Sequence, residues 1–344
     1  MVHVQKIAES PKGEDLFKVI LESGPYTVHI LNLGATIQSL IVPDRDGKKR
    51  DVVLGFENPF EYIGHSAYFG QVVGRFANRI KDATFTLNNR TYHLDANDGK
   101  NSLHSGSANW GWRIWAIEPF EWEGNPGVVL SITSKAGEGG FPGNVTATAS
   151  YLLDGKSGQL RLEYEATASE ETPINLTNHS YFNLAGAGSG TILNHDVQLF
   201  CDRYVQVDDH AIPSGKVLSV EKTPFDFRKP KAVGLEIEAA GGYDHCFVLS
   251  DDRSELKPAA TVHDPSSGRM MEIFTTLPSL QFYTGNFLDG STAGKGGVSY
   301  RKHAGMCFET QYYPDSPNQA HFPNAIFGPD RPYRHATVFA FSTK

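Results

Sequence analysis

Cysteine is scarce in this chain. Its three copies, Cys201, Cys246 and Cys307, are odd in number and far apart, with no Cys-x-x-Cys pair, which excludes a disulfide framework and argues against a zinc clamp. Reduced thiols are the expectation. Long apolar runs are missing as well: no stretch approaches the roughly 20 residues of a membrane span, and the start, Met1-Val2-His3-Val4-Gln5-Lys6, has neither the basic nor the apolar block of a signal peptide. A cytoplasmic protein without a membrane partner is therefore expected. Positive charge is in the minority, with 31 Lys and Arg against 39 Asp and Glu for a formal charge of -8. Phosphate neutralisation needs clustered Lys and Arg, so nucleic acid is not an expected partner. Cofactor motifs are also absent. There is no glycine-rich phosphate loop followed by Lys-Ser or Lys-Thr, no Gly-x-Ser-x-Gly elbow and no dinucleotide fingerprint. The 13 histidines form no His-x-x-x-His or His-x-His array beside a carboxylate. Neither a cofactor nor a metal is expected.

Helical periodicity is nearly absent too, with only Asn58 to Tyr62 reading as a local helical turn. What recurs instead is the two-residue period of half-buried strands, plainest in Gln159-Leu160-Arg161-Leu162-Glu163-Tyr164-Glu165-Ala166. Hairpins are predicted about Asn88-Asn89 and about Asp154-Gly155, where the residue types tolerate the positive φ of tight turns. Further strands are predicted over Phe17 to Leu21, Val28 to Leu33, Thr36 to Val42, Val128 to Ile132, Met271 to Thr275 and Ala336 to Phe341. The 34 Gly and 19 Pro punctuate the rest at intervals suited to a many-stranded antiparallel fold. No internal repeat, linker or composition break divides the 344 residues, so one all-β domain spanning 1–344 is expected.

Polar residues stand where strands should be apolar. In Asn175-Leu176-Thr177-Asn178-His179-Ser180-Tyr181-Phe182-Asn183-Leu184, strand alternation puts Asn175, Thr177, His179, Tyr181 and Asn183 on one face as a hydrogen-bonding wall. Such a wall suits a polyhydroxylated partner or water. In Met306-Cys307-Phe308-Glu309-Thr310-Gln311 the same logic groups Cys307, Glu309 and Gln311 against Met306 and Phe308, which makes Glu309 a candidate buried carboxylate. Gly74-Arg75-Phe76-Ala77-Asn78-Arg79-Ile80, Asn101-Ser102-Leu103-His104 and Gly242-Tyr243-Asp244-His245 also hold ionisable groups in structured surroundings. Each has a plainer explanation. His179 also fits a satisfied core histidine, Glu309 an arginine's partner, Arg75 and Arg79 bridges between loops, and His104 and Asp244 turn residues. Trp110, Trp112 and Trp115 read as core rather than as a sugar platform.

Taken together, these segments resemble the galactose mutarotase (aldose 1-epimerase) family. The resemblance runs in order through Asn32 to Thr36, Asp51 to Phe56, Gly74 to Ile80, Asn101 to His104, Gly139 to Gly143 and Asn175 to Leu184. It continues through Tyr243-Asp244-His245, Gln281 to Phe287 and Glu309-Thr310-Gln311. It implies a β-supersandwich of large antiparallel sheets with a groove for a free aldose, and no cofactor. His179 maps to the family's acid, Glu309 to its base, and Asn78, Arg79, His104, Asp244 and Gln281 to sugar binding. The chain departs from the pattern after Gln311, in Tyr312 to Asn318, which puts sugar preference in question. The chemistry asks for a protonated His179, raised by nearby carboxylates, and an ionised Glu309. A hexose-6-phosphate 1-epimerase, a sugar-binding module without catalysis, and a glycoside hydrolase are the competing readings. A monomer or weak homodimer is expected.

Overall fold

The computed structural model describes residues 1–10, 12–249 and 255–344. Three large antiparallel sheets make up most of it. One has five strands in chain order, from Val2–Glu9 to Lys49–Asp51. The largest has nine, with Gln159–Ala168 paired between Val145–Asp154 and the long Tyr333–Thr343 strand. The third has six, ordered Tyr181–Phe182, Met306–Gln311, Ser279–Tyr283, Asp244–Val248, Arg203–Val207 and Pro213–Ser219. A single apolar core draws on all three sheets, joining Val19 and Leu40 of the first to Leu130 and Leu162 of the second and to Phe282 and Phe308 of the third. Alternating residues therefore bury one face of each sheet against another. The all-β architecture of packed antiparallel sheets is as expected.

Local predictions follow the same physics. The Asn58 side chain caps the 3-10 turn Pro59–Tyr62 by accepting from the Phe60 N–H, with proline at the first position where its missing donor costs nothing. Asn88 and Asn89 take φ values of +52° and +61° between Thr84–Leu87 and Arg90–His93, which is the twist a two-residue hairpin requires. The Asp154-Gly155 hairpin is also present, its carboxylate accepting from the N–H groups of Lys156 and Ser157. All six isolated strand predictions fall on strands. Trp110 and Trp115 are fully buried, as a core reading requires, whereas Trp112 is only partly buried.

The Asn175–Leu184 segment differs from its alternation. It is not one strand with a wet and a dry side. Thr177–Asn178 pairs with Val72–Val73, the chain then turns through His179 and Ser180, and Tyr181–Phe182 pairs with the Met306–Gln311 strand of the six-stranded sheet. Every residue from 175 to 184 is buried. Its asparagines brace backbone rather than face a groove. Asn175 donates to the carbonyls of Ala77 and Tyr312 and accepts from the Tyr312 N–H, Asn178 donates to Gly70, and Asn183 donates to Gly190 and Ala304. Pairing passes from a bridge between Asn175 and Phe76 to Val72–Val73 and then to Met306–Gln311, and these two changes of partner within ten residues leave backbone groups that only such side chains can satisfy.

On the six-stranded sheet, strand register sets side chains in rows across one face. Tyr181, Cys307, Tyr283 and Asp244 are successive cross-strand partners, and beside them lie Glu309, Gln281 and Cys246. Met306, Phe308 and Phe282 turn to the other face and join the main core. The predicted division of the Glu309 strand is therefore correct.

Candidate active site

A cavity of about 280 Å³ opens above this face, lined by His179 and Glu309 and by four of the predicted binding residues, Asn78, Arg79, His104 and Asp244. Gln281 is not at its wall. It lies behind Asp244, donating from Nε2 to the aspartate Oδ1 at 2.7 Å, so its reach into the cavity is through Asp244.

Two loops are clipped together at the rim. Asn78 and His104 both have positive φ, +65° and +53°, which folds each loop back on the other. The Asn78 N–H donates to His104 Nδ1 at 3.1 Å and the His104 N–H donates to the Asn78 carbonyl at 3.1 Å. An amide N–H can only donate, so Nδ1 of His104 is bare and its proton sits on Nε2. Burial, reinforced by His179 and Arg79, holds this ring well below the usual histidine range. His104 is thus a fixed neutral donor. Asn78 spends its own oxygen on the Arg79 N–H at 2.8 Å, and its amide nitrogen has no acceptor among the described residues.

His179 and Glu309 meet on the floor. Nε2 and Oε2 are 3.6 Å apart, and both side chains are nearly inaccessible. On its other side the His179 ring faces Cys307, with Sγ 3.5 Å from Nδ1. Burial lowers His179 to about 4, opposed only by a bond to its own backbone. Burial and the neighbouring Asp244 push Glu309 well up, with Arg79 opposing. The expectation that carboxylates raise His179 is therefore not met, because desolvation outweighs them at this depth. Burial disfavours the charged form of both groups, so in the free cavity it favours the arrangement of imidazole and carboxylic acid.

Arg79 donates from Nε to Asp98 at 2.8 Å, which leaves the terminal nitrogens of its fork for a ligand. Arg75, four residues earlier, is elsewhere and fully buried, bonded to the carbonyls of Pro142, Gly143 and Lys135 and to Ser134. It is a bridge between loops. Of the aromatic walls, the sequence reading had only Tyr181, on the polar face it drew with His179. Tyr181 and Tyr283 line the cavity from the Cys307 row, Tyr68 stacks on Trp112 and meets His104 edge-on at 4.7 Å, and Phe287 stands at the mouth 79% exposed. Tyr283 sits on the same strand face as Gln281 and was legible by alternation; Tyr68, in a loop, had no signal.

Among the described residues, His104, His179 and Glu309 also place one ligand atom each within 4.8 Å of one another, a spacing that suits a cation. The tautomer of His104 decides against it. Its Nε2 carries a proton, and moving that proton to Nδ1 would set it against the Asn78 N–H. The cavity therefore offers a neutral donor at His104, a cationic fork at Arg79, acceptors at Asp244 and Glu309, and one mobile proton between His179 and Glu309. That set matches a polyol with a proton to exchange.

Comparison with known proteins agrees with this geometry. Residues 18–340 match the family model described as aldose 1-epimerase. The chain is 46% identical over 327 residues to the galactose mutarotase of Bos taurus, covering 94% of each protein. It is 35% identical over 343 residues to the aldose 1-epimerase of Escherichia coli K12, covering 97% of each. Among solved structures, it superimposes on the GalM/aldose epimerase homologue from C. elegans with a TM-score of 0.85 at 30% identity, over 100% of this chain and 99% of that one.

Proposed function

This chain belongs to the aldose 1-epimerase family, and from that premise we propose that it interconverts the α and β anomers of free hexoses such as D-galactose and D-glucose, with Glu309 as general base and His179 as general acid. Opening the ring requires a proton to leave the anomeric hydroxyl and another to reach the ring oxygen. Rotation about the bond to the aldehyde carbon and closure with the roles reversed give the other anomer. Both oxygens are bonded to the same carbon, so acid and base must stand close together. The 3.6 Å between His179 Nε2 and Glu309 Oε2 is the observation that carries this reading. Hydrolases that cut glycosides place two carboxylates about 5–10 Å apart instead.

Asn78, Arg79, His104 and Asp244 are assigned to the sugar hydroxyls, and Gln281 to holding Asp244 in place. Hydroxyl donors from the sugar offset the desolvation of Glu309, so binding moves the shared proton to His179 and readies the pair. The reaction moves protons only and calls for no redox cofactor. A phosphorylated sugar would need a cluster of cations, and among the described residues lining the cavity Arg79 is the only Lys or Arg. We also read 1–344 as one domain, and the three buried free thiols suit the reducing cytoplasm.

Polarimetry on freshly dissolved α-D-galactose and α-D-glucose tests the proposal, with spontaneous mutarotation subtracted. Wild type should accelerate the approach to equilibrium, and His179→Gln and Glu309→Gln should each lose about 10²–10⁴ in kcat at matched folded concentration. Full activity in both variants would remove the assigned pair. Turnover of glucose 6-phosphate or methyl galactoside in place of the free sugars would shift the reading to the phosphosugar epimerase or the hydrolase.

A further inference from the structure

The two cavity histidines differ in what faces Nδ1, and only one of them is free to change its protonation. Their ring centroids are 5.5 Å apart, so they share an environment. His104 meets an amide that can only donate, and an imidazolium there would oppose two N–H groups. His179 meets the Cys307 sulfur at 3.5 Å. We infer that Cys307 is a positioning residue that lets His179 gain and lose its Nε2 proton without losing its orientation, because the sulfur accepts from Nδ1–H both in the imidazolium and in the neutral ring that has given up the proton facing Glu309. This rests on the acid role proposed for His179.

The sulfur is well placed for the task. Cys307 is fully buried on a central strand, paired with Tyr181 on one side and Tyr283 on the other, so it cannot turn away as the ring titrates. Around the ring stand Glu309 at Nε2 and His104, Tyr68, Tyr181 and Tyr283 against its edges and faces, and Asp244 and Arg79 line the same cavity. Burial, Glu309 and Asp244 all push the Cys307 thiol well up. It remains a neutral S–H rather than a thiolate. A carboxylate in its place would hold His179 as imidazolium and make it a weak acid. A weak, neutral acceptor at Nδ1 orients the ring and leaves the Nε2 proton free to move.

The test compares wild type, Cys307→Ala and Cys307→Ser, labelled with ¹⁵N-histidine and matched for folded protein by near-UV circular dichroism. Cys307→Ala should lower kcat for α-D-galactose about tenfold, with KM within about twofold, and the His179 ring nitrogens should shift toward averaged tautomers. A serine hydroxyl also accepts from Nδ1–H, so Cys307→Ser should recover most of the lost kcat and the single tautomer. An alanine variant with wild-type kcat and unchanged ring shifts, or a serine variant no better than alanine, overturns the inference. If wild type does not accelerate mutarotation at all, the functional reading fails, while the ring shifts of the three proteins still decide whether Cys307 orients His179.

Discussion

Arg75 and Arg79 share a loop and a charge but not a task. The Arg75 guanidinium spreads its bonds over three carbonyls and a serine from two other loops, and burial lowers it to about 10. Lysine has no planar fork and can satisfy only part of that set, leaving carbonyls unpaired in the interior. Arg75→Lys should therefore lower the unfolding free energy by about 2–4 kcal/mol and leave KM for galactose unchanged. Arg79 is partly exposed and tethered by one nitrogen. Arg79→Lys should raise KM about tenfold with its urea midpoint unmoved. Urea titrations and polarimetry on the two variants check the contrast, and a similar loss of affinity in both would refute it. The sequence placed these residues together and weighed both as loop bridges. It had no means to separate them, because the separation is made by burial at a distance of four residues along an irregular loop.

Elements show the same limit from the other side. Strands and turns were legible wherever the signal is local. The Asn88-Asn89 turn follows from what asparagine's backbone tolerates, and the Glu309 strand from the period of two. The Asn175–Leu184 segment was misread because its alternation is real while its cause is not a wet groove. Its polar side chains compensate backbone that changes partner twice, and nothing in a local pattern distinguishes those needs. Asn183 is the clearest case: it donates to Gly190 and Ala304 and accepts from the Ala185 N–H. Asn183→Ala should cost about 2–4 kcal/mol in unfolding free energy, because it strands buried carbonyls. Since Asn183 does not line the cavity, kcat per folded molecule should stay within about twofold. A variant as stable as wild type in urea would mean that these bonds are replaceable. The assignment of His179 and Glu309 to catalysis came from the family resemblance. Residue pattern alone left His179 and Glu309 open to structural roles, because the distance between them is a property of three strands and a loop.

At the scale of the molecule, buried neutral histidines tie stability to pH. His179, His195 and His335 are each lowered by burial to about 4, and His104 lies well below its usual range for the same reason. A group whose folded pKa is depressed contributes stability that is fully present above its unfolded value near 6.5 and is lost as pH falls toward the folded one. The unfolded chain takes up protons that the native rings refuse. Glu309 runs the other way. Its raised pKa keeps its proton in the native state, so its contribution is present below about 4.5 and fades as pH rises. Between about pH 6.5 and 4.5 the histidines outnumber it, and stability should fall as the medium is acidified, each histidine adding about 1.4 kcal/mol per pH unit once its unfolded form is protonated. Against a typical total of about 5–15 kcal/mol, that slope is large enough to unfold the protein above the range where most carboxylates titrate. His195 isolates the effect because its Nε2 accepts the Leu184 N–H far from the cavity. In urea titrations at pH 7.5, 6 and 5, His195→Gln should flatten the dependence by about 1.4 kcal/mol per pH unit below pH 6, whatever its stability at neutral pH. An unchanged slope would show that His195 protonates in the native state, and the acid sensitivity would then have to arise from the remaining rings alone.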